Sequence, residues 1–291
     1  MSVTKDTYCK NSFNIERLTK QDIQDVIGLS DQLGWDYSAE ELELILQTGY
    51  LYGHKNENGK VISTAAIFPY GTTLASLGTV MVDPGCRGMG IGTAITKKCI
   101  NMFPNTPVTL VSTDQGKPLY QKLGFKTVGT LYKLIANKYQ NRQSPADDSY
   151  IIHPIRKEDI KEILRLDRQA FGADRAVFLK HRITQARFSA VLKNPTGEMV
   201  GFALGIQNPE MLVIGPVIAP GPLMAGWLIH EIAGKYQGTL RIDVPSEHQA
   251  LLDSLFCSGF ETVNQPPVML LNGDRLPSRH LLFAIAAQAY G

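Results

Sequence analysis

Long apolar runs are missing from this sequence. None approaches the ~18–20 residues that a membrane-spanning helix needs, so a membrane-embedded protein is not expected. The opening MSVTKDTYCKNSFNIE lacks the apolar core of a secretory signal, so the expected location is the cytoplasm. Cysteine is scarce: Cys9, Cys86, Cys99 and Cys257 make no CxxC pair and no histidine cluster accompanies them. Neither a zinc site nor a disulfide framework follows, and no metal is expected. Excess charge is missing too. The formal net charge is +2 with no block of one sign, which argues against a nucleic-acid partner and against a polybasic membrane tether.

What is present has the composition of an ordinary globular protein. At 291 residues the chain is long enough for two domains. The polar stretch YQNRQSPADDS (Tyr139–Ser149) is the best linker, dividing the chain into 1–140 and 148–291. In the first half, Phe13–Leu18 reads as a strand. Thr19 with Asp22 reads as a capping-box helix start, and Ser38 as a second helix cap. Tyr50–His54 and Val61–Phe68 flank the turn NENGK as a hairpin, and Leu74–Val82 is a further strand. Helix Gly90–Phe103, strand Val108–Ser112, helix Gln115–Leu123 and strand Phe125–Ile135 follow.

The second half repeats this order: strand Tyr150–Ile155, helix Lys157–Phe171, hairpin Phe188–Lys193 with Met199–Ile206, strand Met211–Ile218, helix Pro222–Tyr236, strand Thr239–Val244, helix Ser246–Ser258. LYQKLGF in one half and LFCSGF in the other mark a duplication. Ser278–Tyr290 reads as an extra helix. The fold class expected is α/β, with a mostly antiparallel mixed sheet flanked by helices in each half.

The chemistry concentrates in VDPGCRGMGIGT, Val82 to Thr93. Gly88, Gly90 and Gly92 alternate between a strand and an apolar helix. Backbone N–H groups at a helix start bind phosphate, the helix dipole favours an anion there, and glycine lets the anion come close. Arg87 can add a charged contact. Tight packing alone is the bland alternative. The dinucleotide pattern GxGxxG fails because Thr93 and Ile95 stand where its last glycine would be, and no Lys-Ser/Thr completes a P-loop.

Val82, Pro84, Arg87, Gly88, Gly90 and Gly92 together resemble the acyl-CoA motif of the GCN5-related N-acetyltransferase (GNAT) family. PLYQKLGF, Pro118 to Phe125, resembles that family's second signature. LGWDYSAEELELIL, AFGADR and IGPVIAP resemble its bacterial two-domain (tandem) subgroup. The resemblance implies acetyl-CoA as co-substrate, held by Met81, Val82, Arg87, Gly88, Met89, Gly90, Ile91, Gly92 and Thr93. It implies pantetheine pairing along Thr79–Val82, with the N–H of Met81 or Val82 polarising the thioester. It also implies Tyr120 as the acid for the leaving thiolate, its alternative being a packing role.

The base is not evident. Asp114 is a candidate, with helix capping as its other reading; Glu41, Glu43 and His54 are weaker ones. Trp35 is a candidate for the acceptor pocket, with a core or surface tryptophan as its other reading. Cys86 has no histidine beside it in sequence and is a poor nucleophile candidate.

In the second half Pro220 and Pro222 replace N–H donors, and Phe256 stands where Tyr120 does. That half is expected to be GNAT-like without strong coenzyme binding, with Asp174, Arg175, Asp243 and Glu247 as residues that could face the acceptor, a structural ion pair being the other reading of Asp174 and Arg175. The expected activity is N-acetylation of a small-molecule amine by a monomer or homodimer. A protein N-acetyltransferase and a non-catalytic acyl-CoA sensor are the competing readings.

Overall fold

The computed structural model describes residues 14–35, 37–142 and 147–291. Cys9, Phe13 at the start of the expected first strand, and the middle of the Tyr139–Ser149 linker lie outside them. The first half runs β1 (Ile15–Arg17), α1 (Ile23–Gln32), α2 (Ala39–Thr48), β2 (Tyr50–Lys55), β3 (Val61–Tyr70), β4 (Leu74–Val82), α3 (Ile91–Ile100), β5 (Val108–Val111), α4 (Lys117–Lys122) and β6 (Lys126–Ala136). The second runs β7 (Ile151–His153), α5 (Ile160–Phe171), α6 (Ala176–Gln185), β8 (Ala186–Lys193), β9 (Met199–Gln207), β10 (Met211–Ile218), α7 (Pro222–Ala233), β11 (Thr239–Pro245), α8 (Gln249–Cys257), β12 (Glu261–Asn264), β13 (Pro267–Leu271) and β14 (Leu282–Ala284).

Local chemistry explains many of these boundaries. The Thr19 hydroxyl accepts from the Gln21 N–H, and the Asp22 carboxylate accepts the Thr19 N–H at 2.8 Å, closing the capping box ahead of α1. Ser38 accepts the Glu41 N–H and starts α2. Gly59, at φ +77°, turns the β2–β3 hairpin. Among the described residues no helix is long and apolar enough to cross a membrane.

The strands form one 14-stranded mixed sheet, in the order β1-β2-β3-β4-β5-β13-β6-β11-β10-β9-β8-β7, with β12 beside β6 and β14 beside β10. Most pairs are antiparallel; β4–β5 and β10–β11 are parallel. One strand of each half crosses to the other. β13 of the second half pairs with β5 of the first, while β6 of the first pairs with β11 of the second. Residues far apart in the chain are therefore brought against the first half's cleft. The division at the linker follows chain order, and the sheet is built across it.

Two expectations from the sequence change. The helix Ser278–Tyr290 does not form. Leu282, Phe283, Ala284, Ile285 and Ala286 are all buried, and β14 pairs with Val217 and Ile218 of β10. A short apolar run fits a buried strand as well as a helix, and an open sheet edge decides between them. Helix α6 was not anticipated: its inner face holds Arg182 beside Phe178 and Leu179, so no clean apolar stripe marks it.

Candidate active site

Strand β4 pairs with β3 through most of its length but with β5 only at Ala75–Val108 and Ser76–Thr109. Beyond Ser76 the two parallel strands separate. The register with β3 shifts opposite Thr64–Ala66, where Thr79 adopts φ +55°, a left-handed conformation costly for a β-branched residue. Thr64 Oγ1 donates to the Thr79 carbonyl at 2.7 Å, and the Tyr37 hydroxyl lies 3.1 Å from Thr79 Oγ1. The Asp83 N–H donates to Ile62 of β3 at 2.9 Å. N–H groups alternate along a strand, so Met81 shares that edge and the N–H groups of Val80 and Val82 face the gap. This selects Val82 over Met81 as the donor facing the cleft.

The glycine turn closes one end of the gap. Asp83 Oδ1 accepts the Gly85 N–H at 2.8 Å and sets a 3-10 turn through Pro84–Cys86. Gly88 and Gly90 have φ +81° and +78°, and a Cβ at either would touch nothing within 4 Å. Conformation and an open outer face, not packing, require glycine there. Gly92 is different: a Cβ would sit 3.1 Å from Leu119 and 3.4 Å from Val82, so it lets α3 approach α4 and β4. The first amides of α3 have no acceptor within the helix. Arg87 is exposed and makes no ion pair among the described residues.

A cleft of about 1020 Å³ joins these parts. Met81, Val82, Arg87, Gly88, Gly90, Ile91, Gly92 and Thr93 line it, as do Tyr120, Asp114 and Trp35; Met89 is exposed and does not. Asn264 at the end of β12, with Gln265 and Pro266 before β13, supplies part of the wall from the second half. Tyr120 is buried, edge-on to Phe125, with Gly116 close beneath its ring. Its hydroxyl has no partner among the described residues. Burial pushes the phenol up, so it stays protonated. Asp114 is exposed at the cleft wall and does not cap α4. The N-cap of α4 is Gly116, without a side-chain cap, and the Thr113 hydroxyl accepts the Gly116 N–H at 3.1 Å in the turn before the helix.

A second cavity of about 360 Å³ opens beside the first, in the seam between the halves. Trp35, Gly78, Thr79 and Gln288 line both. Across the seam Arg182 of α6 grips Glu41 of α2 at 2.6 and 3.2 Å. Arg241 donates to Asp243 at 2.8 Å. The other sequence candidates go elsewhere. His54 is buried against Ser63, with burial lowering its pKa, and it lines neither cavity. Glu43 pairs with Lys20 at the surface. Arg175 is held by Asp167 in a buried pair, whereas Asp174 accepts the Ala176 N–H. Neither these two nor Glu247 lines a cavity. Burial and Asp83 push the Cys86 thiol up, away from a nucleophilic thiolate.

The second half has a matching gap with different contents. β10 and β11 pair in parallel from Met211–Thr239 to Ile214–Ile242. Past that point β14 lies against β10, Ala219 N–H donates to Leu281, and Ile285 N–H donates to Asp243. The protein's own strand fills this gap. Helix α7 starts at Pro222 after an extended Gly221, φ −165°. The helix-end bonds also correct the pairing of Tyr120 with Phe256. Phe125 N–H bonds to Tyr120, and Phe260 N–H bonds to Leu255. LFCSGF is one residue shorter than LYQKLGF, so buried Leu255 takes Tyr120's place and Phe256 is exposed. No hydroxyl is present there in either alignment.

The sequence did not point to Tyr37, Asn264 or Gln288. Long-range pairing brings the last two to the site, and no local pattern marks them.

Acetyltransferase (GNAT) domain profiles match residues 49–127 and 163–284. The uncharacterized N-acetyltransferase YitH of Bacillus subtilis (strain 168) is 33% identical over 277 residues, covering 94% of this chain and 97% of that protein. A holothin acyltransferase of Pseudoalteromonas sp. (strain SANK 73390) is 23% identical, covering 88% and 87%. The crystal structure of a proposed acetyltransferase from Pyrococcus horikoshii superposes with TM-score 0.80 at 19% identity, covering 98% of this chain and 99% of that one.

Proposed function

The chain belongs to the GNAT family of acetyltransferases, and from that premise we propose that it uses acetyl-CoA to N-acetylate a small-molecule amine entering between its two halves. The observation that carries this reading is the open edge of β4, set between an amide-lined glycine turn and the seam cavity. Acetyl-CoA would supply the activated thioester. The first amides of α3, with Arg87, Gly88 and Gly90, are suited to its pyrophosphate. The free N–H groups of Val80 and Val82 can pair with the pantetheine amides as an added strand would. Val82 is the donor best placed to polarise the thioester carbonyl.

Tyr120 donates its proton toward the departing sulfur. Because burial raises its pKa, it serves first as a hydrogen-bond donor to the growing negative charge. Trp35 and the seam wall hold the acceptor beside the thioester, so orientation supplies much of the acceleration. Asp114, exposed at the cleft wall, can relay the amine's proton to solvent. We assign catalysis to residues 1–140 and read 148–291 as a GNAT-like half without a coenzyme site, completing the acceptor cavity. The partly enclosed 360 Å³ of the seam suits a small acceptor better than an extended peptide.

The test is incubation with acetyl-CoA and either a panel of small amines or peptides with free N-termini, following thiol release and product mass. Turnover of at least one small amine supports the reading. Turnover confined to peptides overturns it.

A further inference from the structure

We propose that Gln288 is an acceptor-binding residue that holds the incoming amine where the cleft and the seam cavity meet; this rests on the reading that a small amine enters through the seam. Gln288 is half-buried and lines both cavities. The backbone around it is pinned on two sides. Toward β4, Ser76 Oγ donates to the Ala289 carbonyl at 3.0 Å and the Tyr70 hydroxyl donates to the Tyr290 carbonyl at 2.8 Å. Gly78 admits this close approach: a Cβ there would lie 2.7 Å from the Ala289 Cα. Toward β11, Ile285 N–H donates to the Asp243 carbonyl at 3.0 Å.

The side chain is oriented as well. Asp243 is buried, and a carboxylate only accepts. Its Oδ2 takes the Arg241 guanidinium at 2.8 Å and its Oδ1 takes Gln288 Nε2 at 3.0 Å. The amide NH₂ must therefore face Asp243, leaving Oε1 as the other end. Oε1 has no partner among the described residues. A carbonyl oxygen at this junction can accept one N–H of an amine and so direct the nitrogen lone pair. It cannot take the proton, so Gln288 binds and orients rather than acts as a base. Asp243 and Arg241 serve as positioning residues for it.

The experiment substitutes Gln288→Met, close in size but unable to accept this bond, with Gln288→Ala as a second variant should Met fold poorly. Wild type is first assayed with benzylamine, tryptamine, glucosamine and 4-aminobenzoate, and its best acceptor is used. The expected result is a fall in kcat/KM for the amine of about 10-fold, the worth of one substrate hydrogen bond, mostly through KM. The acetyl-CoA dissociation constant, measured by calorimetry, stays within about 2-fold. An unchanged kcat/KM overturns the proposal, and so does a parallel loss of acetyl-CoA affinity, which would place Gln288 in the coenzyme cleft. A wild-type enzyme that acetylates peptides and none of the four amines breaks the small-amine reading itself and the proposal with it.

Discussion

The two halves share an order of elements and differ where a coenzyme would touch. In the first, β4 leaves β5 after two paired positions and the gap is a cleft; in the second, β14 fills the corresponding gap beside β10. Gly90 enters α3 at φ +78°, while Gly221 enters α7 at φ −165° with Pro222 next. Tyr120 is replaced by Leu255. The two halves thus share buried apolar faces and differ at a turn, a strand edge and one side chain, the features on which we assign the coenzyme to the first half alone.

The largest effect that tests this comparison is on coenzyme binding. Gly90→Glu forces a side chain into a left-handed position and puts a carboxylate at the helix start, so acetyl-CoA affinity should fall roughly 100-fold or more. Gly221→Glu, where a Cβ meets nothing within 4 Å, should leave it within about 2-fold. Calorimetry of both variants decides. Next is turnover. Tyr120→Phe should lower kcat by about 10²-fold with acetyl-CoA affinity retained, as expected for loss of a general acid or donor. Leu255→Met in the other half should leave kcat unchanged. If Tyr120→Phe is fully active, Tyr120 returns to a packing role.

The pH profile sharpens the same contrast. A phenol whose pKa is raised keeps its proton to higher pH, so Tyr120 remains a donor across the assay range. The value of kcat should rise as the amine deprotonates and then stay level to about pH 10, near the ordinary tyrosine pKa. A descending limb centred there would contradict the assignment. The smallest effect is at Cys86. Its raised thiol pKa predicts that Cys86→Ser keeps kcat within about 2-fold and that iodoacetamide at neutral pH leaves the native thiol unmodified.

Much of this was legible in the sequence, because it is local. The capping box at Thr19, the hairpin turn at Gly59, the limits of β4 and the glycines before α3 all follow from side chains acting within a few residues. What was hidden depends on distant partners. The strand at Leu282–Ala284 exists only because β10 offers an edge. The bulge at Thr79 needs Thr64 and Tyr37 to hold it, and nothing in GTVMV announces it. Gln288 reaches the site because residues 286–291 thread between the halves. The one-residue shortening of LFCSGF was readable, but the pairing of Leu255 with Tyr120 required the helix-end bonds.

The most direct test of the central claim, that only the first half holds the coenzyme, is a calorimetric titration of the intact protein with acetyl-CoA. The account predicts one site per chain, abolished by Gly90→Glu and kept by Gly221→Glu. Two sites per chain, or a single site that survives Gly90→Glu, would contradict it.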